Sequence, residues 1–172
     1  MHIEMQTHHA CYNGHLHIAQ WLFEINSTIN ISIDNDYAFR FACENGHLPI
    51  AKWLLQIKPT INTSFGNNYV LRKACENGHL HIAQWLFELN PTIHILSGTA
   101  LQQAFVDACS YGFLDISQWL YDIRPTFNIS ASNECAFRSA CENGYLSVAQ
   151  WLLKIKPTIN MSVGCDYVNC WI

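Results

Sequence analysis

The sequence predicts an all-α solenoid of stacked helix-turn-helix units joined by hairpin-like loops, and two observations carry that expectation. The first is a fixed period: Cys11, Cys43, Cys75, Cys109 and Cys141 are spaced by 32, 32, 34 and 32 residues, and Trp21, Trp53, Trp85, Trp119 and Trp151 each follow their cysteine by ten. Repeats of this length are too small to bury their own apolar faces, so neighbours stack into a continuous interior. The second is that each period holds two apolar-periodic stretches split by a glycine. The expected organisation is a single domain over 1–172, with units at about 1–32, 33–64, 65–96, 97–130 and 131–162 and a partial unit at 163–172.

The unit at 33–64 shows why. Asn35 and Asp36 are turn and N-cap residues, and Ala38, Phe39, Ala42 and Cys43 then fall at helical spacing. Asn45-Gly46 ends this helix of about two turns, because glycine tolerates the left-handed conformation of a helix terminus. Leu48, Ile50, Ala51, Trp53, Leu54, Leu55 and Ile57 form the second periodic set, with Pro49 in its first turn and Lys58-Pro59 as the stop. So short a link makes the two helices antiparallel neighbours. Thr60 to Asn68 alternates small, β-branched and turn residues and reads as an extended loop or hairpin. Trp85 and its counterparts are expected to be packed at the second helix's apolar seam.

Composition narrows the function. Half of the residues are apolar and 13% are charged, with a formal net charge of −4. The nine Lys and Arg residues are scattered, with no basic face to attract a phosphate backbone, so no nucleic-acid partner is expected. The opening Met-His-Ile-Glu-Met-Gln-Thr-His-His has neither a basic lead nor an apolar core, so neither a signal peptide nor a membrane span is expected there. Five of the eight cysteines recur beside Ala10, Ala42, Ala74, Ala108 and Ala140 and read as small, reduced core residues, which implies a cytoplasmic protein. The Asn-Xaa-Ser/Thr sequons at Asn26, Asn30, Asn62, Asn128 and Asn160 are then incidental, four of them being one repeat position copied.

The segment from Ala38 to Asn62, with Ala-Phe-Arg-Phe-Ala-Cys, Glu-Asn-Gly-His-Leu and the closing Thr-Ile-Asn, resembles the ankyrin repeat, and the resemblance covers nearly the whole chain. It departs from the family pattern in three places. The usual Thr-Pro is Tyr37-Ala38 and Tyr69-Val70, the following His is Arg40, Arg72 and Arg138, and the Gly-Ala-Asp after the second helix is Lys-Pro-Thr or Asn-Pro-Thr. With the Trp and Cys usage, these substitutions resemble the divergent ankyrin proteins of giant DNA viruses of the mimivirus kind. The resemblance implies a scaffold whose first helices and loops line a concave groove, and whose Asn30, Asn62, Asn128 and Asn160 tie successive loops together; His94 departs from that last pattern.

Positions fixed between repeats are scaffold by default, and variable ones on the first helices and loops are the candidates for recognition. These are Phe41, Tyr69, Lys73, Asp107, Tyr111 and Ser139, with His9 before them, together with Ser97, Gly98 and Thr99 in a loop of 97–102 that is expected to bulge from the rim. Their aromatic and charged mixture is the composition of binding hot spots. His15, His47 and His79 follow Gly in the same turn and are read as local caps, and no Cys-x2-Cys or His-x3-His pair closes a zinc site. Glu44, Glu76 and Glu142 read as a solvated face, and no nucleophile–base pair or phosphate loop is present. The expectation is therefore a non-enzymatic, cofactor-free scaffold that binds a protein partner, a host protein if the source is viral, with a spacer or a fragment of a longer array as the alternative. A monomer is expected, or association end to end through a carboxyl end that stops inside a first helix and leaves Cys170, Trp171 and Ile172 uncovered.

Overall fold

The computed structural model describes residues 2–63, 65–90 and 98–160, and among these it contains ten helices and no strand. The chain divides into two compact units, Met1–Ser97 and Gly98–Ile172. In the first, α1 (His2–Tyr12) pairs with α2 (Leu16–Ile25), α3 (Ile33–Glu44) with α4 (Leu48–Ile57), and α5 (Phe65–Glu76) with α6 (Leu80–Leu89). In the second, α7 (Gly98–Ser110) pairs with α8 (Leu114–Ile123), and α9 (Ala131–Glu142) with α10 (Leu146–Ile155). The second helix of the 33–64 repeat has the expected bounds, with Pro49 in its first turn.

The core follows the repeat pattern. Ala10-Cys11, Ala42-Cys43, Ala74-Cys75 and Ala108-Cys109 are buried, as are Leu22, Leu54, Leu86, Leu120 and Leu152 on the second helices. Burial pushes the thiols of Cys11 and Cys109 up to about 12 and that of Cys43 upward too, which keeps them protonated and inert. Cys141 departs from this pattern and is half-buried. Cys165, Cys170 and the rest of the expected partial unit lie outside the described residues.

The tryptophans correct the expected assignment of faces. Trp85, Trp53 and Trp151 are only half-buried, and Trp21 is 56% exposed. Ala and Leu side chains such as Ala51 and Leu54 take the interior positions, and Trp53, Trp85 and Trp151 meet Phe23, Phe39 and Tyr121 at the junctions with the repeats before them. Trp53 receives the edge of Phe23 at 5.9 Å and Trp151 that of Tyr121 at 5.8 Å, both near-perpendicular.

The loops are tighter than the hairpin the sequence suggests. Asp34, Asn35 and Asp36 all have positive φ, of 52°, 57° and 60°, so the start of α3 is a single left-handed turn with a kink before its right-handed part. Asn and Asp tolerate that conformation best. Arg40, which stands where the family pattern has His, donates from its guanidinium to the carbonyls of Asn35 (2.9 Å) and Asp34 (2.7 Å). Asp36 is not an N-cap: its carboxylate accepts from the Ser32 hydroxyl and, at 3.1 Å, from the backbone N–H of Asn62 one repeat later. Glu4 accepts likewise from Asn30 N–H, and the Gln102 amide both accepts from and donates to the Asn128 backbone. The tie between loops therefore comes from the first-helix side chain. The side chains of Asn30 and Asn128 instead accept from the N–H groups of Ser32 and Ser130, two residues on, as Asx turns do.

The histidine after glycine also has a different role from the local cap expected. No capping bond forms at His15, His47 or His79. The His47 ring lies over Gly14 of the preceding repeat, with Nε2 3.0 Å from the carbonyl of Tyr12, and His79 lies over Gly46 in the same way. Tyr145 over Gly112 repeats the arrangement in the second unit. Burial lowers the pKa of His79 below its ordinary 6.5, against the opposing pull of its bond to the Glu44 backbone. The unfolded chain therefore takes up a proton at a higher pH than the folded one does. The stability that neutral His79 contributes is present above pH 6.5 and is lost as the pH falls from there through the depressed folded value. Denaturant midpoints measured between pH 7.5 and 5 are expected to fall more for the native protein than for His79→Gln; equal slopes would show that this ring does not govern the loss.

Candidate functional site

The first helices form one row in each unit and pack against one another more closely than the second helices do. Of the sequence-predicted recognition residues, Phe41, Tyr69, Lys73, Thr99, Asp107 and Ser139 lie on these first helices.

In the first unit the row carries a contiguous aromatic ledge. Phe41 on α3 lies 4.2 Å from the Tyr37 ring, one turn back, and 5.6 Å from Tyr12 at the end of α1. His8 continues the ledge, with its ring 6.1 Å from Tyr37 and its pKa lowered, chiefly by burial. Tyr12 is 42% exposed, so the ledge has an open edge. On α5, Tyr69 sits under the Arg72 guanidinium at 5.9 Å. Lys73, one turn on, holds Glu76 at 2.8 Å. That hydrogen bond raises the Lys73 pKa, and the charge of Glu44 on α3 adds to the effect. Glu76 is thus a partner of Lys73 and Arg72 and not a purely solvated group.

In the second unit, Asp107 accepts from the Gln103 amide at 2.8 Å, Tyr111 is exposed, and Ser139 lies half-buried with its hydroxyl 4.0 Å from the Cys135 sulfur. The expected bulging loop is absent from 98 onward: Gly98 and Thr99 are the first residues of α7, which uses the longer repeat to reach 13 residues. Thr99 is exposed at the start of that helix, and Tyr111 follows its far end, about 18 Å away at 1.5 Å per residue. The structure therefore does not gather these two into one patch. Ser97 lies outside the described residues.

Sequence reasoning named Phe41 but missed Tyr12, Tyr37 and His8, whose contacts cross from one repeat to the next. Among the described residues, no group of three or more His, Cys, Asp or Glu side chains could hold a metal ion, and no helix is long and apolar enough to cross a membrane.

A family model described as ankyrin repeats in three copies matches residues 7–97, just over half of the chain. No curated protein matches it.

Proposed function

We infer, because the chain belongs to the ankyrin-repeat family, whose repeats are generally protein-interaction modules, that it is a scaffold binding a protein partner on the inner side of its first helices. The observation that carries this is the ledge of Tyr12, Phe41 and Tyr37, open at Tyr12, with Tyr69, Arg72 and Lys73 on the next first helix, Lys73 standing at the repeat position of Phe41. Ring surface already packed against ring surface loses little side-chain entropy when a partner covers it. Aromatic and cationic groups together are the usual anchors of an interface. In the second unit, the proposed recognition residues are Thr99, Asp107, Tyr111 and Ser139. The resemblance to giant-virus ankyrin proteins favours a host-cell protein as the partner, and the buried, inert thiols support a cytoplasmic location.

The test is a comparison of faces. Phe41→Ala and Lys73→Glu are expected to weaken capture of a partner recovered from the native host cell by about tenfold or more, while Gln84→Ala and Gln118→Ala on the second helices leave it unchanged. Lys73→Glu sets a carboxylate beside Glu76 and near Glu44 in a half-buried pair, so circular dichroism and denaturant midpoints of this variant separate lost binding from lost folding. Equal loss from both sets would move the site off the first helices.

A further inference from the structure

The first repeat exposes a stripe that later repeats cover. Ile18 on α2 is 50% exposed, whereas Ile50 and Ile82 at the same position of the next two repeats are 1% and 2% exposed. Trp21 is likewise open, while Trp53 meets the edge of Phe23 from the repeat before it. Ile25 extends the stripe by a turn, at a position half-buried in Ile57 and Ile155 and exposed in Leu89. Residues 18, 21 and 25 share one face of a helix.

Two observations select what covers this stripe. A further repeat stacked in front would also cover α1, and there Gln6 is exposed at the position held by Ala38 and Val70, each 1% exposed in its repeat. Seating a whole repeat would bury that amide, at a cost unless both its groups found partners. Met5 beside it on α1 is also open, at 57%, and an occupant that meets α2 alone leaves the Gln6 amide hydrated. The polar groups beside the stripe, a carboxylate and an imidazole that can donate to it, supply the second observation. His17 and Glu24 are both exposed on the same flank of it, about two turns apart. Two copies of α2 laid antiparallel about a two-fold axis near Trp21 set Ile18 against the partner's Ile25, Trp21 against the partner's Trp21, and Glu24 against the partner's His17. In a parallel pair the two copies of this flank would lie on opposite sides of the seam, and His17 and Glu24 would not meet.

We propose that this face of α2 is the contact surface of a two-fold symmetric dimer with a second copy of the chain. A helix of ten residues is about 15 Å long. It covers less than the roughly 800 Å² per partner of a standard stable interface, so the dimer is weak and concentration-dependent.

Sedimentation equilibrium of the whole chain from micromolar to millimolar concentration tests this. The mass is expected to rise from monomer to dimer and stop there. Trp21→Glu is expected to weaken dimerisation by about 30-fold or more, the effect of losing a hot-spot tryptophan. His17→Glu is expected to weaken it less, and adding Glu24→Lys to that variant is expected to restore it. All three positions are exposed, so unchanged circular dichroism and denaturant midpoints are the control for folding. A monomer at every concentration, a mass that climbs past the dimer as head-to-tail stacking would give, a dimer indifferent to Trp21→Glu, or failure of the charge swap to restore association would each overturn the proposal.

Discussion

Phe39→Ala is expected to destabilise the protein by about 3–5 kcal/mol, the largest effect of any single side chain in the first unit. Phe39 is fully buried on α3, and its ring reaches Trp85 of the following repeat at 6.3 Å. Removing it therefore opens a cavity inside one repeat and loosens the junction with the next. A small domain has only about 5–15 kcal/mol in total, so the first unit would be left close to its unfolding threshold. Trp21→Ala, by contrast, is expected to lie within about 0.5 kcal/mol of the native protein in the monomer, because that indole is mostly in water. Urea midpoints at constant m-value separate the two. A Phe39→Ala cost below about 1 kcal/mol would mean that the Trp85 junction relaxes into the space.

That contrast shows what periodicity can and cannot read. The Ala-Cys pair, the second-helix leucines and Pro49 were legible because their roles are set within one repeat, by helical spacing and by chain direction. Trp21, Trp53 and Trp85 occupy one column of the sequence, yet their burial differs with what lies in front of each, and a repeat pattern carries no record of its neighbour. The left-handed turn at Asp34, Asn35 and Asp36 shows a second limit. Asn and Asp signal a turn, but a hairpin and a left-handed helical turn use the same residues, and the choice falls to Arg40, six and five residues beyond the two carbonyls it satisfies. The candidate surface divides in the same way. Variability between repeats singled out Phe41, while its ring contacts with Tyr12 on the neighbouring helix exist only once the repeats are stacked. Thr99 and Tyr111 were grouped because a longer repeat suggested a bulge, and the extra length went into α7 instead.

Gly112→Ala is expected to cost about 2–5 kcal/mol, and Gly144→Ala, at the same position one repeat later, only about 1–2 kcal/mol. Both glycines have a left-handed backbone, with φ of 81° and 78°, so the strain of adding a Cβ there is common to the two. They differ in what the new methyl group would meet. At Gly112 it would stand 2.4 Å from the Tyr145 ring of the next repeat, whereas at Gly144 nothing lies within 4 Å. The difference between the two costs therefore measures the ring packed across the repeat junction. Tyr145 must swing away or the backbone of the Gly112 turn must shift, and either change separates α7 from α9 at the end where Asn143 donates to the carbonyl of Ser110 at 2.9 Å. A double-mutant cycle isolates that contribution. In a Tyr145→Ala background the clash is gone, and Gly112→Ala should cost no more than Gly144→Ala does. If the excess at Gly112 persists without the ring, the glycine is required by its turn alone, and the ring does not join the repeats.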